Sequence, residues 1–155
     1  IAKDNLDLDR AVSHAVDELR GQARAKGIDI DVACDAAVRI ISDRELLRVL
    51  IRNVLSNAVK FTPEGGTITV RTHSTRATAS VEVSDEGPGF DPETAAVTSG
   101  TAGERGTGLG LRIVKAIAEQ LAGEVRVESR AGGGTTVTIE VPFQELQQLK
   151  VGDGE

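Results

Sequence analysis

The 155-residue chain has no methionine, tryptophan or tyrosine, and only three phenylalanines, two histidines and one cysteine. Each scarcity excludes something. Cys34 alone cannot close an internal disulfide, and with only His14 and His73 beside it no transition-metal cluster can be assembled. Such usage fits a reducing compartment, and Cys34 reads as a packing residue. A net charge of −6, without a basic patch or an aromatic platform, argues against nucleic acid as a partner. There is no apolar run of about eighteen residues and no charged-then-apolar leader, so no membrane span or export signal is expected in this stretch. A start at Ile1 together with the lack of methionine gives the expectation of a piece of a longer protein. This part is expected to be cytoplasmic and monomeric when isolated, with a membrane anchor elsewhere in the whole protein left open.

What remains is ordinary for one domain with a core: 39% hydrophobic and 27% charged residues. Residues 9–26 carry Ala11, Val12, Ala15, Val16 and Leu19 at helical spacing and stop at Gly27, which predicts a first helix. IDIDV (28–32) and VRII (38–41) read as short strands. Ser42 and Asp43 offer a cap for a second helix, ELLRVLIRNVLSNAVKF, which ends at Pro63, Gly65 and Gly66. TITVRTHS (67–74) and ATASVEVSDE (77–86) alternate and form a predicted hairpin. The stretch 91–105 has no period and is expected to be a mobile loop. LGLRIVKAIAEQLAG (109–123) predicts a third helix, and EVRVES and TTVTIEVP predict two strands joined by a turn over Ala131 to Gly134. The domain is expected to span 1–143, with a polar tail or linker at 144–155. The pattern predicts a two-layer α/β (α+β) sandwich, a mixed and mostly antiparallel sheet with three helices on one face.

Three polar residues interrupt the second helix: Asn53, Asn57 and Lys60. At about 100° per residue their spacing gathers them into one narrow stripe. The amides offer oxygens acceptable to Mg²⁺, and Lys60 offers a cation, although a solvated polar face has the same pattern. Asp85 closes a strand just before Gly87, Pro88 and Gly89, so it is either a turn former or a carboxylate presented beside unhindered backbone. An ionised carboxylate only accepts hydrogen bonds, which suits the exocyclic amine of adenine and not the carbonyl of guanine. Gly106, Gly108 and Gly110 lead into the third helix, where free backbone N–H groups favour phosphate, although a plain turn is also compatible. The G-x-G-x-x-G and G-x-x-x-x-G-K-[ST] patterns are both absent.

Taken jointly, these segments resemble the catalytic and ATP-binding domain of bacterial sensor histidine kinases, within the gyrase, MutL and histidine kinase ATPase superfamily. The resemblance runs from about residue 6 to 143 and rests on an asparagine box at 43–66, glycine boxes DEGPGF and GERGTGLGL, and a closing GGGTTVTIEVP. It implies the Bergerat ATP-binding fold, with ATP and Mg²⁺ as cofactors. It implies Asn57 as the main Mg²⁺ ligand with Asn53 assisting, and Lys60 on the phosphates. Asp85 is implied to bind the adenine amine, with Gly87 and Gly89 flanking the base. Gly106, Gly108 and Gly110 are implied to cradle the phosphates, and Thr107, Leu109 and Leu111 among them are implied to be ATP-binding. Thr135 is implied to support the adenine, with Thr136 adjacent and similar. The chain departs from the family in the loop 91–105, which lacks a phenylalanine box after Phe90. Arg105 there is either a lid cation near the terminal phosphate or a plain exposed arginine.

ATP-hydrolysing members of the resembling superfamily carry a glutamate at the position of Asn53, where it activates water. An amide cannot accept that proton, so the terminal phosphoryl group is kept for another nucleophile. The resemblance implies a histidine on a separate dimerisation domain of the same kinase, and a response regulator reached through that domain. Asn53, Lys60 and Arg105 are then the candidate catalytic residues. His14, in SHAVDELR, is not that acceptor, because its spacing to Glu18 differs from H-E-L-R and no proline follows Arg20. A regulatory module that binds nucleotide without transfer, and an anti-sigma-type serine kinase, are the alternatives.

Overall fold

The long helices and the central strands take the form that their apolar spacing dictates, and the spacing also decides which side they bury. The computed structural model describes residues 4–34, 38–87, 112–129 and 133–142. In chain order these form β1 (Asp4–Asp7), α1 (Leu8–Ala25), β2 (Asp29–Cys34), β3 (Arg39–Ser42), α2 (Arg44–Phe61), β4 (Thr67–Ser74) and β5 (Thr78–Asp85). A third helix, α3, is described over 112–120, and β6 (Glu124–Ser129) and β7 (Thr135–Pro142) follow.

Both long helices start on aspartates. Asp7 accepts from the N–H of Asp9 at 3.0 Å, and Asp43 accepts from the N–H of Leu46 at 2.9 Å, so each satisfies a donor that a helix start leaves open. Of the two cap candidates on α2 it is therefore Asp43 that serves, while Ser42 ends β3 and is buried. Helix α1 buries Val12, Ala15, Val16, Leu19 and Ala23. Helix α2 buries Leu47, Leu50, Ile51, Val54, Leu55, Ala58 and Val59. Each large side chain among these contributes about 1.5–3 kcal/mol on leaving water.

Among the described residues the main sheet has five strands in the order β2-β4-β5-β7-β6. Among the described strands only β2 and β4 run parallel, and α2 lies in the connection between them. The remaining pairs are antiparallel. Period-two alternation buries Ile68, Val70 and Thr72 of β4, Ala79, Val81 and Val83 of β5, and Val137, Ile139 and Val141 of β7. These rows face the helices, and Val114, Ile117 and Ala118 of α3 join the same core. The result is a two-layer α/β sandwich, a mixed and mostly antiparallel sheet covered on one face by three helices. Among the described residues no helix is long and apolar enough to cross a membrane.

One element departs from the sequence-based expectation, and the partners of two others go beyond it. The strands expected at 28–32 and 38–41 both form, in different sheets: β2 joins the main sheet, while β3 pairs antiparallel with β1 in a separate two-stranded sheet. Strand β1 was not predicted, because DNLD has no β-branched residue and Asp7 doubles as a helix cap. It is held by its partner and by burial of Leu6 rather than by its own propensity. The expected loop at 91–105 and the expected tail at 144–155 lie outside the described residues, as does the start of the predicted third helix at 109–111.

Candidate functional site

Asn53, Asn57 and Lys60 line one side of α2, on the shoulder of its buried arc. The two amides are half-buried and Lys60 is exposed. Asn53 donates from Nδ2 to the Val49 carbonyl at 2.9 Å. A carbonyl can only accept, so the nitrogen faces the helix backbone and Oδ1 is left as the outward acceptor. Lys60 holds its ammonium 5.7 Å from the centroid of the Phe61 ring, within cation–π range.

Asp85 closes β5 with the same parity as Ala79, Val81 and Val83, so it is a carboxylate in an apolar, helix-facing row. Burial raises its pKa above the ordinary carboxylate value, against the opposing effect of backbone N–H groups of Gly87 and Thr135 that donate to it. The Gly87 contact is 2.8 Å, to Oδ1. A carboxylate has about four acceptor sites, so two amides leave capacity for a further donor such as an amine.

Gly87 also explains how the two halves of the site meet. A Cβ at that position would stand 2.7 Å from the Phe61 carbonyl oxygen at the end of α2 and 3.0 Å from Asp85 Oδ1. Glycine is therefore required by the close approach of the helix end to the strand end. The nearest neighbours of a Cβ at this position are thus the protein's own oxygens.

The register separates the two adjacent threonines. Thr135 lies opposite Asp85, with its Oγ1 2.7 Å from Ser129 Oγ. Thr136 lies opposite Ser84 on the other face of the sheet, with the two hydroxyls 3.0 Å apart. Gly134, at φ +80°, lets the chain pass close to the Asp85 carbonyl. The expected site residues Gly89, Arg105, Gly106, Thr107, Gly108, Leu109, Gly110 and Leu111 lie outside the described residues. His14, set aside as phosphoacceptor, is exposed on α1.

Sequence reasoning missed two supports. Glu86 accepts through Oε1 from the Thr67 N–H at 2.7 Å, which ties the residue after Asp85 to the start of β4. Lys26 donates through Nζ to the carbonyls of Val59 at 2.9 Å and Lys60 at 3.1 Å. Both contacts join residues distant in sequence, so no local pattern signals them.

The donor set fits the groups that the resemblance implies. Amide oxygens on Asn53 and Asn57 are hard donors of the kind Mg²⁺ accepts alongside water and phosphate. Lys60 supplies a local positive charge, and the half-buried, acceptor-only Asp85 suits an exocyclic amine.

Residues 42–145 match the family described as histidine kinase-, DNA gyrase B-, and HSP90-like ATPase. The chain is 37% identical over 145 residues to the histidine protein kinase DivJ of Caulobacter vibrioides, a match covering 88% of this chain. It spans only 24% of the length of that relative. Its fold is similar to the nucleotide-free catalytic domain of the histidine kinase ThkA, with a TM-score of 0.80, 22% identity, and coverage of 92% of this chain and 98% of that one. It is also similar to full-length ShkA solved in complex with AMPPNP, with a TM-score of 0.79, 29% identity, and coverage of 92% of this chain and 31% of that one.

Proposed function

The chain belongs to the histidine kinase-, DNA gyrase B- and HSP90-like ATPase family, as a catalytic domain of the sensor histidine kinase type, and from that premise we propose that it binds ATP with Mg²⁺ and donates the γ-phosphoryl group to a histidine outside this chain. The observation that carries the reading is the Asn53 amide, held by its Nδ2 to the Val49 carbonyl. A neutral amide takes no proton from water, so this position leaves a water molecule unactivated. Its Oδ1 and the Asn57 amide are the proposed metal ligands. Lys60 is the proposed phosphate contact, and Arg105 is a second candidate cation. Bound Mg²⁺ supplies charge neutralisation on the phosphate oxygens. The remaining contribution of the chain is to hold and orient the nucleotide.

At the base end, Asp85 accepts the adenine amine in this reading, with Gly87 and Thr135 N–H groups holding its carboxylate in place. Thr135 rather than Thr136 is the adenine support, because it shares the helix-facing side with Asp85. Gly87 and Gly89 flank the base, and Gly106, Gly108 and Gly110 cradle the phosphates. The likeness to ShkA solved with AMPPNP supports a nucleotide as ligand. The partners in this reading are a histidine-containing dimerisation domain of the same kinase and, through it, a response regulator. The domain itself is cytoplasmic and monomeric.

Calorimetry of ATP binding with and without Mg²⁺, followed by incubation of the chain with its cognate histidine domain and labelled ATP, tests this. Binding and a labelled, acid-labile phosphohistidine are expected. Tight binding with no phosphohistidine would favour a regulatory module instead.

A further inference from the structure

We propose that Lys26 is a positioning residue for the nucleotide site, acting through the last turn of α2; this rests on the reading of that site as one for ATP. Lys26 caps α1, yet its ammonium donates to the carbonyls of Val59 at 2.9 Å and Lys60 at 3.1 Å. The final carbonyls of a helix have no partners within the helix and carry the negative end of its dipole, so a cation is their favoured partner. The backbone adds to the grip. Gly65 donates its N–H to the Lys26 carbonyl at 3.0 Å, and Asp29 donates to the Gly66 carbonyl at 3.1 Å. One corner of the chain, Lys26 to Asp29, therefore holds both the final turn of α2 and the exit from it.

That turn carries the residues on which the span of the site depends. Lys60 lies in it and Asn57 lies within one helical turn of Lys60. Phe61 ends it, and its carbonyl oxygen lies against Gly87, which in turn donates to Asp85 Oδ1 at 2.8 Å. Contact thus runs from the Lys26 ammonium through the helix end and Gly87 to the Asp85 carboxylate. A displaced turn shifts Asn57 and Lys60 relative to Asp85, changing the distance between the phosphate end and the adenine end. A ligand that reaches both ends feels this change. A ligand that meets only Asp85 does not.

The test compares the binding of ATP with Mg²⁺ and of adenosine to the wild-type chain, Lys26→Met and Lys26→Arg, well below the melting temperature of each. Lys26→Met should weaken ATP about tenfold, the scale of a charge-assisted hydrogen bond, while adenosine changes less than about twofold. Lys26→Arg, which keeps a cation within reach of the carbonyls, should restore most of the ATP affinity. Should Lys26→Met fail to fold, Lys26→Gln gives the same comparison with the charge removed. A lowered melting temperature with an unchanged ratio of ATP to adenosine affinity would make Lys26 a purely structural cap and overturn the proposal. Equal loss for both ligands would overturn it too. If wild type fails to bind ATP, or Asp85→Asn binds it equally well, the reading of the site itself has failed, independently of how Lys26 variants compare.

Discussion

Thr135 donates its backbone N–H to the Asp85 carboxylate from the directly opposed position on β7. The bond holds a charged group at a strand end where every earlier residue of the same row is apolar, Ala79, Val81 and Val83. Burial and these donors act in opposite directions on the carboxylate, and burial is the larger effect.

A pH dependence with two opposite signs follows. Because the Asp85 pKa is higher in the folded chain than in the unfolded one, the native state binds more protons in the window between the two values. Its contribution to stability is therefore greatest below the ordinary carboxylate value and declines as pH rises through the raised one. On the proposed adenine contact the ionised form is the better acceptor, so nucleotide binding should strengthen as pH rises through the same window. Denaturant titrations of wild type and Asp85→Asn across that window check the first part; a stability difference independent of pH contradicts it. At neutral pH the same variant should lose about ten- to a hundredfold in ATP affinity, the scale of a hydrogen bond to a charged group.

Asn57→Ala should leave the fold intact and remove the dependence of ATP binding on Mg²⁺, because the half-buried amide lies beside the core face rather than within it. Isothermal titrations at matched Mg²⁺ concentrations measure this. Metal-dependent affinity retained in the variant would exclude Asn57 as a ligand.

Gly87→Ala forces a methyl group to within 2.7 Å of the Phe61 carbonyl oxygen. The expected cost is about 1–3 kcal/mol, as for other overpacked sites, and urea unfolding reads it. Gly21→Ala is the matching control, because a Cβ there meets nothing within 4 Å and the residue lies in the interior of α1. It should stabilise the chain by about 0.5–1 kcal/mol.

Ala122 has φ 59°, a left-handed backbone just past α3, where glycine is the usual residue. Ala122→Gly should raise stability by up to about 1 kcal/mol, since relief of the steric strain exceeds the greater freedom of glycine when unfolded. Thermal unfolding decides it, and a lowered midpoint counts against the strain.

The elements with long periodic patterns were legible: α1, α2, β4, β6 and β7 lie within a residue or two of their sequence-predicted bounds. Strand β1 was not, because DNLD derives its extended form from β3 and from the buried Leu6. The partnership of β2 was equally hidden, since pairing with β4 across an intervening helix leaves no mark in IDIDV. Residue types singled out Asn53, Asn57, Lys60 and Asp85 as the candidates from which the proposed site is built. They did not disclose that Gly87 answers to the Phe61 carbonyl or that Lys26 meets the end of α2, because both depend on tertiary distance. That Thr135 and not Thr136 shares the helix-facing side with Asp85 follows from strand register alone.

Among the described residues the sheet order ends on β2 at one side and β6 at the other, and each leaves a row of backbone groups facing outward. Glu124, Arg126 and Glu128 on β6, and Asp29 and Asp31 on β2, are exposed along those borders. A second sheet arriving edge to edge would have to strip water from these charges and bring carboxylates together on the acidic border. Resistance to fibre-like stacking is thus written into two short strands, apart from anything the domain does with a nucleotide.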